Sequence, residues 1–187
     1  AATELTAFEQ QMLSHPAVRG VIIFTRNFKS KPQLIDLIDS IREFSTADVE
    51  VSVDQEGGRV QRVGDGFSEL PPLRVYGEQW QTEPAAARQA AFEHGQIVGQ
   101  ECADIGFDLV YAPVLDLDWG FSEVIGDRAF HPDPQVVGVL GAQMMAGLHA
   151  GGVSAVAKHF PGHGGVVADS HHEHAIDQRS LVELAAD

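Results

Sequence analysis

The chain has 187 residues, with 12 lysines and arginines against 27 aspartates and glutamates, and its formal net charge is −15. This length suffices for one domain with a sizeable core. The acidic balance argues against nucleic acid or an anionic membrane surface as a partner. A single cysteine, Cys102, excludes an internal disulfide. No apolar run reaches the ~20 residues that a membrane span needs, and no signal peptide is visible.

Hydrophobic patterns predict four helices that alternate with four short strands. In chain order, the predicted elements are helix 3–14, strand 20–25, helix 32–44, strand 49–54, helix 84–104, strand 108–115, helix 134–150 and strand 152–157. The helix over 32–44 shows the pattern well: Pro32 suits a first turn, and Leu34 and Ile38 share one face. Cys102 falls in the third helical pattern, which favours a buried residue over a nucleophile. Strands that alternate with helices predict a parallel sheet.

Polar side chains follow the predicted strands. The second strand leads into Asp54, the third into Asp116 and Asp118, and the fourth into Lys158 and His159. In a (β/α)8 barrel the active site lies at this end of the strands. A doubly wound open sheet also binds ligands there, so this feature by itself fits both folds. The nucleotide-binding patterns GxGxxG and GxxxxGK[ST] do not occur in the chain.

Five charged or polar residues at the strand ends and in the following loops have the donors and acceptors that sugar hydroxyls require. They are Asp54, Arg62, Arg128, Lys158 and His159. Each one taken singly is better explained as a solvated or salt-bridged surface residue. The position directly after a strand favours a binding role for Asp54, Lys158 and His159, whereas Arg62 and Arg128 are supported only by their place in loops.

Residues 158–174, KHFPGHGGVVADSHHEH, hold five of the nine histidines in the chain. Histidine titrates near neutral pH, and it therefore suits proton transfer or metal binding. His171 follows Asp169 by two residues, and a carboxylate at that spacing can orient an imidazole for acid/base catalysis. A flexible polar loop is the alternative.

A zinc site is the other chemical possibility for this segment. Its candidate ligands are His159, His163, His171, His172 and His174. Zinc needs three or four ligands on a defined frame. The chain has no HExxH pattern, and the neighbouring histidines at 171 and 172 point in diverging directions. We therefore predict that the chain binds no metal.

Four segments together resemble glycoside hydrolase family 3, and in particular its bacterial β-N-acetylhexosaminidases of peptidoglycan recycling. The segments are VDQEGGRVQR (53–62), APVLDLD (112–118), IGDRAFH (125–131) and KHFPGHGGVVADSH (158–171). They occur in the order that the family has. One such segment is moderately specific, whereas the set of four is highly specific.

The resemblance implies a TIM-type (β/α)8 barrel and a cytoplasmic glycosidase without metal or organic cofactor. It implies release of terminal β-linked N-acetylglucosamine from peptidoglycan-derived anhydromuropeptides by a retaining mechanism. His171 would be the general acid/base, paired with Asp169. The sugar would be bound by Asp54, Arg62, Arg128, Lys158 and His159.

The chain departs from the family pattern at both ends. A nucleophilic aspartate is expected in a segment resembling FSDDLSM, which does not occur here, and the family's first strand should precede residue 1. We therefore interpret residues 1–187 as a partial barrel with about four of the eight βα units. This piece should be inactive alone, and its partner would be the rest of its own barrel from another fragment or chain.

Two other function classes remain open from the residues alone. The chain could be a non-catalytic sugar-binding fragment, or it could be a metal-dependent hydrolase that uses the histidine-rich loop. If the chain alone were active as a glycosidase, a carboxylate of its own, such as that of Asp116 or Asp118, would have to supply the nucleophile.

Overall fold

The structure is a computed structural model that describes residues 2–168, 174 and 176–184. In chain order its elements are α1 (Ala7–Leu13), β1 (Gly20–Ile23), α2 (Lys31–Phe44), β2 (Glu50–Val53), β3 (Gln55–Gly57), β4 (Val60–Gln61), α3 (Arg74–Trp80), α4 (Pro84–Ala103), β5 (Leu109–Val110), α5 (Pro134–Gly151), β6 (Ser154–Ala155) and α6 (Leu181–Leu184). Single 3-10 turns cover Thr25–Asn27 and Gly126–Arg128.

Four parallel strands form the central sheet. Their spatial order is β1-β2-β5-β6, which is also their order along the chain. A doubly wound sheet reverses its strand order at a switch point, whereas the strands of a (β/α)8 barrel follow one another in sequence. The sheet therefore has the topology of four consecutive βα units of a TIM-type barrel, as the sequence predicted. Within the described part of the chain, β1 and β6 are its two edges.

Several predicted boundaries were wrong by a few residues. The first helix begins at Ala7 rather than near Thr3, because Thr6 and Glu9 form a capping box at its start. The third strand pairs only over Leu109–Val110, with one further bridge at Val114. Pro113 lies between these pairs and has no backbone N–H to donate. The first strand ends at Ile23, directly before the turn at Thr25–Asn27.

Besides helix α6, two short elements were not predicted. An antiparallel hairpin, β3–β4, follows Asp54 directly, where the sequence had suggested a polar loop. Helix α3 has the sequence RVYGEQW, and with a glycine at its centre and few apolar residues it shows no hydrophobic period. Both elements lie between β2 and α4, and both contribute to the site described below.

The helices bury their apolar faces in one core. Helix α2 contributes Leu34, Leu37, Ile38 and Ile41, which are all nearly inaccessible to solvent. Helices α4 and α5 pack so closely that a Cβ added at Gly95 would lie 2.1 Å from the Met144 carbonyl oxygen, and one added at Gly147 would lie 2.0 Å from that of Phe92. The absence of side chains at these glycines lets the two helix backbones approach each other.

Helix α4 also buries two titratable groups. Cys102 is fully inaccessible, and burial raises the pKa of its thiol to about 12, as expected for a residue without a nucleophilic role. His94 is 1% exposed, and burial lowers the pKa of its imidazole to about 4.

No helix in the described part of the chain is both long and apolar enough to cross a membrane.

The packing of α4 on α5 makes a prediction about two glycines of α5. Gly147→Ala forces a methyl group into the Phe92 backbone, and we expect it to lower the free energy of unfolding by about 2 kcal/mol. Gly138→Ala is the matched control, because a Cβ there meets nothing within 4 Å. It should raise the free energy of unfolding by about 0.5–1 kcal/mol through helix propensity. Urea unfolding of both variants tests this, and equal effects would contradict the close packing.

His94 makes a prediction about the pH dependence of stability. Its pKa lies at about 4 in the folded protein against 6.5 for a free histidine, so the unfolded chain binds the proton more readily. The free energy of unfolding is then unaffected by this group above pH 6.5 and falls by about 3 kcal/mol as pH drops from 6.5 to 4. His94→Gln should remove this part of the decrease in urea unfolding at several pH values. His149→Gln, at an exposed position of α5, should retain it.

Candidate active site

Two strand ends and one turn deliver charged side chains to one place. Strand β2 ends at Val53, so Asp54 extends from the carboxyl edge of the sheet. The chain then turns into the hairpin, and the first strand of the hairpin places Glu56 beside Asp54. Lys158 follows β6 and forms a parallel bridge with Val114. The carboxyl ends of parallel strands meet at one edge of a sheet, which is why residues so distant in sequence meet here.

Asp54, Glu56, Arg128 and Lys158 form a continuous ion-pair cluster. The ammonium of Lys158 lies 2.5 Å from Asp54 Oδ1 and 2.5 Å from Glu56 Oε1. The guanidinium of Arg128 donates from Nε to Glu56 Oε2 and from Nη2 to Glu56 Oε1, both at 2.8 Å. Two parallel N–H···O bonds of this kind fix the guanidinium in its plane as well as in position.

The cluster has a closed side and an open side. The side chain of Glu56 is 2% exposed, whereas that of Asp54 is 22% exposed. Burial disfavours the charge on Arg128, but hydrogen bonds to Glu56 and the nearby charges of Asp116 and Asp54 outweigh it and raise the pKa of the guanidinium. Glu56 therefore pairs with the two cations on the buried side of the cluster, while Asp54 lies on its more exposed side.

A 3-10 turn brings Arg128 to the cluster, and Arg59 holds that turn in place. Arg59 Nη2 donates to the carbonyl oxygens of Glu123 at 2.9 Å and Val124 at 2.6 Å. Its Nε donates to Asp127 Oδ1 at 3.1 Å. Because Arg59 belongs to the hairpin turn that follows Glu56, the hairpin fixes both partners of the Glu56–Arg128 pair.

A second pair of side chains lies at the end of the third strand. Asp116 Oδ2 is 2.6 Å from His159 Nδ1, and Asp116 Oδ1 accepts the backbone N–H of His163 at 2.5 Å. Burial opposes ionisation of Asp116, but these hydrogen bonds outweigh it and hold the pKa of the carboxyl below its ordinary value. The carboxylate thus orients the ring of His159 and ties down the backbone of the histidine-rich segment.

Arg62 directly follows the hairpin, at the same end of the sheet. Its backbone N–H donates to Gln55 Oε1 at 2.9 Å. Its side-chain Nε is buried and has no hydrogen-bond partner within the described part of the chain. A buried donor without a partner is costly, and a ligand oxygen would satisfy it.

Four of the predicted site residues form ion pairs or hydrogen bonds at one edge of the sheet. The structure brings Asp54, Lys158 and Arg128 into one cluster, and it joins His159 to Asp116. Arg62 lies apart from these ion pairs, with its side chain unpaired among the described residues. The predicted catalytic pair, His171 and Asp169, lies outside the described residues.

The described residues contain no set of side chains that could bind a zinc ion. Among residues 2–168, 174 and 176–184, no three histidine, cysteine, aspartate or glutamate side chains converge on a place for a metal ion. Two of the candidate zinc ligands, His171 and His172, lie outside these ranges.

Two buried acids of the site were not among the predicted site residues. Glu56 belongs to the segment 53–62 but sits in a polar stretch that looked like a solvated loop. Asp116 was considered only as a substitute nucleophile, yet both of its oxygens are engaged by the segment that follows Lys158. A signal was available for each: Asp116 directly follows the predicted strand 108–115, and Glu56 lies two residues beyond the predicted strand 49–54. That signal does not distinguish an acid that faces the ligand from one that supports its neighbours.

Similar proteins match this chain along its whole length. Residues 2–187 match the model of the glycosyl hydrolase family 3 N-terminal domain. A beta-hexosaminidase of Methylobacillus flagellatus is 48% identical over 184 residues, which are 98% of this chain and 53% of that protein. The chain spans about half the length of the curated relatives it matches.

Solved structures of NagZ from Neisseria gonorrhoeae have the same fold. The complex with N-trifluoroacetyl-D-glucosamine superposes with a TM-score of 0.95 at 45% identity, over all of this chain and 55% of that one. The same NagZ in complex with a zinc ion gives a TM-score of 0.94 at 44% identity, again over all of this chain and 55% of that one. With the family model matched from residue 2 to residue 187, the chain belongs to glycosyl hydrolase family 3.

Proposed function

We propose that this chain supplies the sugar-binding part of a β-N-acetylhexosaminidase. The enzyme releases terminal β-linked N-acetylglucosamine from anhydromuropeptides of peptidoglycan recycling in the cytoplasm. The observation that carries the proposal is the ion-pair cluster of Asp54, Lys158, Glu56 and Arg128 at the carboxyl edge of the sheet. The relatives named beta-hexosaminidase and the NagZ complex with a glucosamine derivative support the choice of sugar.

Each side of the cluster has a separate task in sugar binding. The partly exposed carboxylate of Asp54 accepts hydrogen bonds from sugar hydroxyls. Lys158 and Arg128 donate hydrogen bonds to sugar oxygens. Arg62 contributes a further donor, since its buried Nε has no partner in the described part of the chain. Charge-assisted hydrogen bonds of this type are about twice as strong as neutral ones. Rigid donors and acceptors also discriminate between sugars that differ in one hydroxyl.

His159 extends the same binding surface. Asp116 Oδ2 lies 2.6 Å from His159 Nδ1 and fixes the orientation of the ring. The other ring nitrogen, Nε2, therefore also has a fixed direction. About a third of the His159 side chain is exposed, against none of Asp116. We assign sugar contact to His159 and a supporting role to Asp116.

The reaction we propose is hydrolysis with retention. His171, oriented by Asp169, protonates the leaving oxygen and later removes a proton from water. A carboxylate attacks the anomeric carbon to form a glycosyl-enzyme. That nucleophilic aspartate is contributed from outside this chain, together with the remaining strands of the barrel, and no metal or organic cofactor takes part.

A comparison of this chain with the full-length parent tests the proposal. We expect the parent to release nitrophenol from 4-nitrophenyl N-acetyl-β-glucosaminide, and this chain alone to release none. On 4-nitrophenyl β-glucoside the parent should be slower by about 100-fold or more, because the acetamido group is missing. Nitrophenol release, followed by absorbance, is the measurement.

Either of two outcomes would contradict the proposal. Turnover by the isolated chain would mean that its own carboxylates, such as Asp116 or Asp118, supply the nucleophile. Binding of N-acetylglucosamine by the parent without any turnover would leave a non-catalytic sugar-binding protein.

The role of His171 makes a prediction about leaving groups. In the full-length parent, His171→Ala should lower kcat by about 100- to 10,000-fold on substrates with a sugar leaving group. The loss should be much smaller on the 4-nitrophenyl glycoside, since nitrophenolate leaves without a proton. His174→Ala, at an exposed position of the same segment, is the control and should affect both substrates little. An equal, small effect of His171→Ala on both substrates would reduce this histidine to a packing role.

A further inference from the structure

Two buried hydrogen bonds link a side chain of α3 to a side chain of α4 and then to the backbone of Glu56 in the site. The hydroxyl of Tyr76 lies 2.8 Å from His94 Nδ1, and His94 Nε2 lies 2.7 Å from the carbonyl oxygen of Glu56. Tyr76 is 7% exposed and His94 is 1% exposed. These two hydrogen bonds end at the backbone of Glu56, whose carboxylate belongs to the ion-pair cluster.

The direction of both hydrogen bonds follows from the acceptor at one end. A carbonyl oxygen can only accept, so His94 Nε2 carries the proton and donates to Glu56. A neutral imidazole with its proton on Nε2 has an acceptor at Nδ1, and the hydroxyl of Tyr76 donates to it. Both groups keep these states near neutral pH, because burial lowers the pKa of His94 to about 4 and raises the pKa of Tyr76 to about 12.

The ring of His94 also packs directly against the next residue of the hairpin. A Cβ at Gly57 would lie 2.7 Å from His94 Cε1 and 2.6 Å from the Pro71 carbonyl oxygen. Gly57 has a φ of +107°, a conformation that other residues rarely adopt. The peptide after Glu56 is therefore held by a hydrogen bond on one side and by contact on the other, with little room to shift.

The position of this peptide determines where two cations lie. The carboxylate of Glu56 accepts two hydrogen bonds from Arg128 and pairs with Lys158. We propose that Tyr76 and His94 are positioning residues for sugar binding: they fix the main chain at Glu56, and through its carboxylate they fix Arg128 and Lys158. This inference rests on the proposed function for its kinetic consequence, though not for its structural one.

Other contacts of α3 support the same role. Arg74, at the start of α3, forms an ion pair with Asp118 at 2.6 Å, just after the third strand. Gly77 lies so close to the Phe130 backbone that a Cβ there would meet its carbonyl oxygen at 1.7 Å. Phe130 follows Arg128 by two residues. Helix α3 thus contacts the segments that carry Asp116 and Arg128 directly, and it reaches Glu56 through His94.

Kinetics of three variants of the full-length parent test the proposal. Tyr76→Phe removes the donor to Nδ1, and His94→Leu removes the donor to Glu56. We expect His94→Leu to raise KM for 4-nitrophenyl N-acetyl-β-glucosaminide by about tenfold and Tyr76→Phe by a smaller factor, with kcat changed less than about twofold. His94→Gln can still donate an N–H toward Glu56, and its KM should return to within about threefold of the wild type.

Val98→Ala is the matched control for loss of packing. Val98 is buried on α4 one turn after His94, and its apolar side chain can form neither a hydrogen bond nor an ion pair with the cluster. It should lower the melting temperature without changing KM. If His94→Leu changes KM no more than Val98→Ala does, or if His94→Gln is no closer to the wild type than His94→Leu, the positioning role is overturned.

A second measurement does not depend on turnover. ¹⁵N NMR of the parent should show His94 protonated at Nε2, and the Arg128 Nε–H signal should shift in His94→Leu and return toward its wild-type position in His94→Gln. An unchanged Arg128 signal in His94→Leu overturns the proposal. If the wild type lacks turnover while the Arg128 signal responds as expected, the proposed function is wrong and the positioning role stands.

Discussion

The carboxylate of Glu56 lies almost out of reach of solvent, and the site depends on how that charge is compensated. Moving a carboxylate out of water costs several kcal/mol unless it is paired and fully hydrogen-bonded. Arg128 supplies two hydrogen bonds from a position 72 residues further along the chain, and Lys158 supplies an ion pair from beyond β6. Only a fold that brings these three segments together can tolerate Glu56. The ion pair of Glu56 with Lys158 can therefore form only after β6 has joined the sheet and has brought Lys158 to the site.

Two of the residues that we propose contact the sugar, His159 and Arg128, have supporting groups next to them. Asp116 holds His159, and Arg59 holds the turn that carries Arg128. The supporting groups are buried or engaged with backbone atoms, whereas Asp54 and His159 keep part of their side chains exposed. Rigid support of this kind reduces the side-chain entropy that is lost when a ligand binds. A sugar offers many weak hydrogen bonds and little apolar surface, so such preorganisation matters for its affinity.

The fold was largely accessible from the sequence, since its long elements have strong periodic patterns. Helices α2, α4 and α5 were predicted to within a few residues, and the alternation of strands and helices indicated a parallel sheet. The hairpin β3–β4 and helix α3 were missed, because their short sequences, QEG, VQ and RVYGEQW, lack the apolar runs and periods that marked the other elements. Their stability comes from tertiary contacts, which are not local in sequence.

The site divides in the same way. By itself the sequence determined which polar residues follow the strands, and it thereby predicted Asp54, Lys158 and His159 as neighbours at one edge of the sheet. It did not determine which acid is buried and which stays exposed, because Asp54 and Glu56 both carry a carboxylate and lie two positions apart. The tertiary structure decided this through burial: Glu56 is enclosed by Arg128, Lys158 and the hairpin, whereas Asp54 remains partly open. Solvent access is a property of the packed chain, and no local pattern of residues encodes it.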